Sequence, residues 1–203
     1  MILPIVAYGD PVLRKKSKEI EKSNPGLQEL IANMFETMYD APGVGLAAPQ
    51  VGESIRLFII DSEQLFKDDE EDEGENEIDK KNYTGEPLKQ VFINPVILKE
   101  YGKKWVFEEG CLSIPGIREN VEREDTVVIR YYDQHFKAHE KEYDGITARI
   151  IQHEYDHIEG VLFIDRIKAL KRQILKNRLE AISKGKVEVA YKMLFPQKKK
   201  ARV

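Results

Sequence analysis

The chain has one cysteine, Cys111, in 203 residues. No intrachain disulfide can form, so a reducing compartment is expected. No apolar run reaches the length of a membrane span, which excludes a transmembrane helix. The opening residues Met1 to Val6 are too short for a signal-peptide core and lack a basic leader. They read as the start of a mature chain, and the expected location is the cytoplasm, with no membrane attachment. There is no internal repeat and no clear interdomain linker. At this length the chain is one domain, or a domain with an extension, and its hydrophobic content of 41% suffices for a core.

The net charge of −4 is unevenly spread. Nine acidic side chains fall between Asp68 and Asp79, so the remainder carries a net charge of +5. The stretch Glu63 to Glu86 has few apolar residues and reads as an acidic surface insertion. A calcium loop beginning at Asp69 has oxygens at Glu71 and Glu73 and a glycine at Gly74. Its closing position is Lys80, where a bidentate glutamate is required, and that reading fails. Basic residues gather towards the end, from Arg166 to Arg178 and again at Lys198, Lys199, Lys200 and Arg202. A solvated helix face and tail accounts for them; the sharper reading is contact with a polyanion such as ribosomal RNA.

Asn24-Pro25-Gly26 signals a helix start, and Leu27, Leu30, Ile31, Met34, Phe35 and Met38 follow at helical spacing up to Ala41-Pro42-Gly43. Strands are predicted over 55–61, 91–98 and 104–107, and a hairpin over 126–133 and 136–143 that turns near Gln134-His135. A helix from Ile146 to Glu159 stops at Gly160. A last amphipathic helix runs from Asp165 to Ser183, and Val187 to Tyr191 is a candidate final strand.

The Ile146 helix carries His153-Glu154-Tyr155-Asp156-His157. Histidines four apart lie on one helix face, offset by about 40° and about 6 Å of rise. One divalent ion can take both imidazoles, and Glu154 beside the first can act as general base on a water. The pattern points to a metal-activated hydrolase. The third ligand decides the class. The position of a third histidine in metzincin-type proteases is Phe163, which cannot ligate, whereas a thermolysin-like arrangement requires Glu180 or Glu188. Upstream, Cys111 lies in Glu108-Glu109-Gly110-Cys111-Leu112-Ser113, just after a predicted strand; cysteine with two histidines leaves one position open for water. His135 and His139 lie far from these segments and are not expected to ligate. A third segment, Gly43-Val44-Gly45-Leu46-Ala47-Ala48-Pro49-Gln50, has small residues that let a backbone approach a ligand closely, and ends in an amide donor.

Together the three segments, in this order and spacing, resemble peptide deformylase, and the likeness covers Ile2 to about Lys171. The acidic insertion is a departure that lies between the motifs. The resemblance implies an α+β fold of mostly antiparallel sheets around a central helix bearing the histidine pair, with a C-terminal helix. It implies a catalytic domain over 1–183 and an extension over 184–203. It implies removal of the N-formyl group from formylmethionyl nascent peptides, releasing formate. Cys111, His153 and His157 are the expected ligands of one metal ion, Fe2+, for which Zn2+ or Ni2+ substitutes. Glu154 is the expected base, with the Gln50 amide and Leu112 N–H as oxyanion donors. Val44, Phe107, Ile146 and Ile150 are expected to line the methionine pocket. Gly43, Gly45 and Gly110 are expected to pair with the peptide backbone, and Arg118 to meet the peptide further along. A monomer is expected, with a possible ribosome contact through the basic C-terminal helix. The competing readings are a metallopeptidase in which Cys111 is dispensable and a silent, metal-stabilised binding module.

Overall fold

The computed structural model describes residues 1–66 and 83–196. The most acidic part of the insertion, 67–82, and the basic tail, 197–203, lie outside the described residues. The described chain forms β1 (Ile5–Val6), α1 (Leu27–Asp40), β2 (Gly45–Ala47), β3 (Leu57–Asp61), β4 (Lys89–Cys111), β5 (Ile114–Tyr132), β6 (Ala138–Asp144), α2 (Gly145–Ile158), α3 (Phe163–Arg166), α4 (Ala169–Ser183) and β7 (Met193–Leu194). Strands β2-β3-β4-β5-β6 make one antiparallel sheet in sequence order, and β1 pairs with β7 in parallel. This is the expected α+β arrangement, with α2 as the central helix. No described helix is long and apolar enough to cross a membrane.

Helix α1 buries Leu27, Ile31, Met34 and Met38, the face its periodicity foretold, against Leu46, Leu57 and Ile59. Helix α2 is buried almost all round; among its fourteen residues only His153 and Tyr155 keep partial exposure. Its first residue must be glycine. Gly145 has φ of +57°, and a Cβ there would lie 2.1 Å from the Thr84 carbonyl oxygen. The same carbonyl accepts the Ile146 N–H at 2.8 Å, so the return leg of the acidic insertion ties down the start of the central helix.

Three elements differ from the sequence expectation. The two predicted strands over 91–98 and 104–107 are parts of one 23-residue strand, β4. Its register shifts at Ile93/Val96, Ile97/Lys99 and Tyr101/Lys104, and Gly102 takes φ of +98° at the last of these, so the glycine marks a bulge rather than a strand end. The front half of β5, Ile114 to Asp125, was not foreseen. Its buried positions include Arg123, whose charge disguises a core-facing site as a polar one. The final strand lies at Met193–Leu194 and not over 187–191, because the Ile5 and Ala7 N–H groups bond Lys192 O and Leu194 O and fix the register there.

The sheet and α2 enclose a core in which the Phe92 ring lies 4.6 Å from Phe58 and 4.3 Å from Tyr131, centroid to centroid. Phe92→Ala leaves a cavity between those rings that this close packing cannot refill. The expected loss is about 3–5 kcal/mol of unfolding free energy, read as a lower denaturant midpoint at unchanged slope.

Candidate metal centre and substrate cavity

Two separate elements bring the candidate ligands together. Helix α2 presents His153 and His157, and the β4–β5 hairpin presents Cys111 at its tip. The ligand atoms of these three side chains all lie within 4.8 Å of one another, and Cys111 Sγ is 3.3 Å from His157 Nε2. A tetrahedral cation with bonds of about 2.0–2.3 Å sets its donors about 3.3–3.7 Å apart, so the donor set fits one divalent ion. Burial pushes the His157 imidazole well below its ordinary pKa, which keeps it in the neutral form a ligand needs. Among the described residues this is the cluster suited to a metal; Glu180 bonds Lys184 instead, and Glu188 lies outside the cluster.

The ring of His153 is oriented from behind. Its Nδ1 is 2.9 Å from Glu109 Oε2, which frees Nε2 to face the cluster. Glu109 in turn accepts from Arg123 at 2.7 and 2.9 Å and from Arg149 at 2.9 Å. Arg123 continues to Asp156 at 2.7 Å, and Asp156 also accepts from Arg166. Burial alone would raise the Glu109 pKa; the Arg123 guanidinium and His153 hydrogen bonds outweigh it and hold the carboxyl far below the ordinary range. For His153, burial acts downward, but its bonds to Cys111 and Glu109 lift the pKa well above the ordinary value.

Glu154 contrasts with Glu109. It is 4% exposed, and its Oε2 has no hydrogen-bond partner among the described residues. Burial pushes its carboxyl up to about 7, so it can take and release a proton near neutral pH. Its carboxylate packs on bare backbone: a Cβ at Gly45 would fall 2.5 Å from Glu154 Oε1. Gln50 is fixed by its own oxygen, which accepts the Ala47 N–H at 2.8 Å. That turns its Nε2 towards Cys111 Sγ at 3.5 Å and Ser113 Oγ at 3.4 Å. Leu112, between those two residues, has an N–H with no acceptor among the described residues.

These groups open into a cavity of about 850 Å³. Val44, Phe107, Ile146 and Ile150 form its apolar part, and Gly43, Gly45 and Gly110 contribute wall backbone. Arg118 stands exposed at the rim. His135 is exposed and His139 pairs with Asp133 at 2.7 Å, both in the β5–β6 hairpin and away from the cavity. The sequence reading missed two groups. Glu109 and Asp156 stand inside the motifs, and that adjacency to ligands is the signal that was available; Arg123 and Arg149 gave none beyond being charges among apolar neighbours. The other group lines the cavity from outside the motifs: Leu65 and Tyr83 on either side of the acidic stretch, and Glu188, Val189 and Tyr191 after α4.

Comparison with known proteins agrees with this geometry. Residues 2–173 match the family model described as polypeptide deformylase. The peptide deformylase of Christiangramia forsetii is 54% identical over 202 residues, all of both chains. That of Chlorobaculum tepidum is 42% identical over 94% of this chain and 93% of its own. Among solved structures, the peptide deformylase of Legionella pneumophila superposes with a TM-score of 0.74 at 37% identity, covering 92% of this chain and 98% of that one. With motifs, fold and relatives in agreement along its length, the chain belongs to the polypeptide deformylase family, metal-dependent hydrolases that remove the N-formyl group from newly made polypeptides.

Proposed function

We propose that Cys111, His153 and His157 hold one Fe2+ ion, for which Zn2+ or Ni2+ can substitute, and that Glu154, Gln50 and Leu112 carry out the deformylation around it. The observation that carries this reading is the meeting of the three ligand atoms within 4.8 Å, beside a buried carboxylate with an unpartnered oxygen. When bound, the cation supplies Lewis acidity to water and to the formyl carbonyl. A thiolate with two imidazoles suits all three of these metals, so cellular supply and not the ligand set selects Fe2+.

Glu154 takes the proton of the attacking water and later delivers one to the leaving amine, a role suited to a carboxyl with pKa near 7. As the formyl oxygen gains charge, the Gln50 amide and the Leu112 N–H donate to it. Backbone at Gly43, Gly45 and Gly110 pairs with the peptide in the manner of an added strand. The methionine side chain enters the apolar region of Val44, Phe107, Ile146 and Ile150, and Arg118 meets the peptide beyond it. The catalytic unit spans 1–183. The chain acts as a cytoplasmic monomer.

Helix α4 supports a docking reading as well. It buries Leu175, Leu179 and Ile182 but leaves Leu170 and Ile174 each 71% exposed beside Lys168, Lys171 and Lys176. This basic face with two apolar contacts is the surface through which the enzyme meets the ribosome. Ribosome co-sedimentation should weaken with added salt and be lost in Lys168→Glu/Lys176→Glu, both at exposed positions; binding unchanged in that variant sinks the contact.

Further outcomes are expected of the centre. With formyl-methionyl peptide and iron-loaded protein, Glu154→Ala should cut formate release by about 10²–10⁴-fold, and Gln50→Ala by about 10²–10³-fold in kcat. Metal content should stay at the wild-type level in both. Anaerobically prepared protein should contain one Fe2+ per chain by elemental analysis. Glu109→Gln should weaken metal retention against a competing chelator by about 10–100-fold, because it slackens the His153 ring.

A further inference from the structure

The turn that joins β4 to β5 consists of Leu112 and Ser113, and each of its carbonyls is held from outside the hairpin. Ser113 O accepts the Tyr8 N–H at 2.8 Å, and Leu112 O accepts the Tyr191 hydroxyl at 2.8 Å. Tyr8 follows β1 and Tyr191 precedes β7, and those strands pair: Ile5 lies opposite Met193 and Val6 opposite Leu194. The Ile5 N–H reaches Lys192 O and the Ala7 N–H reaches Leu194 O, both at 2.8 Å. The two ends of the described chain therefore form one clasp, closed on one two-residue turn. Val187, Met193 and Phe195 pack the clasp against the core that contains Leu175, Leu179 and Ile182 of α4.

The turn matters because Leu112 has the free N–H beside Cys111. Peptide planes on either side of a Cα are linked through its φ and ψ alone, so a fixed carbonyl limits where the N–H of the same residue can point. The Tyr191 hydroxyl is suited to that task. A phenol hydroxyl ionises only near pH 10, and burial raises that further, so it remains a donor at neutral pH. Its side chain lines the substrate cavity with Glu188 and Val189, beyond the residues that the family pattern matches.

We propose that Tyr191 is a positioning residue for deformylation, fixing the Leu112 carbonyl so that the Leu112 N–H points at the oxygen that gains charge. This rests on the reading of Leu112 and Gln50 as the oxyanion donors. Loss of a whole oxyanion donor costs about 10²–10³-fold. Loss of aim in one donor falls well short of that, at about three- to tenfold in kcat.

The test is Tyr191→Phe in the full-length, metal-loaded enzyme, which deletes the hydroxyl and keeps the ring. Formate release is measured across formyl-methionyl peptide concentrations and normalised to bound metal, with thermal unfolding recorded beside it. The expected result is kcat lower by about three- to tenfold, with KM within about twofold of wild type. A merely structural role moves the unfolding temperature but leaves the normalised kcat untouched, and that result overturns the proposal. Gln50→Ala run in parallel separates the two layers. If it loses kcat while Tyr191→Phe does not, only the positioning role falls. If Gln50→Ala keeps full kcat, the oxyanion reading falls, and the positioning role with it.

Discussion

The centre depends on one buried carboxylate. Glu109 sits two residues before Cys111 on β4, and it accepts from Arg123 on β5 and from Arg149 and His153 on α2. Those contacts tie the strand that carries the thiol to the helix that carries both imidazoles. A charge this deep is tolerated only with full pairing, since a buried ion stripped of one partner costs about 3–5 kcal/mol. Asp156 completes the pairing by taking the far side of Arg123 and binding Arg166. The register between hairpin and helix is thus set by directional charged hydrogen bonds, which slide less readily than apolar contacts. A candidate metal centre assembled from a hairpin and a helix needs that fixity, because its donors must hold their spacing before a cation arrives.

Two glutamates near the centre show how environment divides labour. Glu109 is surrounded by guanidinium and imidazole donors and stays ionised throughout. Glu154, adjacent to His153, is equally buried but has no such partner, and its proton affinity rises to about 7. On the proposed reading one carboxylate orients a ligand and the other exchanges protons, and their environments suit them to different tasks. The glycine at position 45 belongs to the same design. With a Cβ there, Glu154 would be pushed off the backbone it rests on, so the small residue serves the base as much as any substrate strand.

How far this was legible in the sequence follows from the range of each interaction. Helices α1 and α2 were readable because their apolar residues recur at short spacing, and the β5–β6 hairpin because its strands alternate. The candidate ligands, Glu154 and Gln50 stood out because each lies in a compact motif whose residue types belong together chemically. What stayed hidden depends on partners far along the chain. Arg123 reads as a surface charge until Glu109, fourteen residues earlier, and Asp156 are known to face it. The front of β5 was lost for that reason, and β4 was split because a bulge at Gly102 looks like a strand end in one dimension.

The same distinction separates the centre from its surroundings. Cys111, His153, Glu154 and Gln50 are held by contacts among the three motifs, whereas the cavity walls draw on segments outside them. Leu65 and Tyr83 come from the two ends of the acidic insertion, the Tyr83 ring packing on Phe66 and on Phe107 of the apolar pocket. Glu188, Val189 and Tyr191 come from the segment after α4. These walls line the cavity without contributing an atom to the candidate ligand set. The insertion is therefore no passive loop between motifs. Its return leg supplies a pocket wall through Tyr83 and, one residue later, the Thr84 carbonyl that caps the start of α2. A change of length or charge there acts on the pocket and the catalytic helix together.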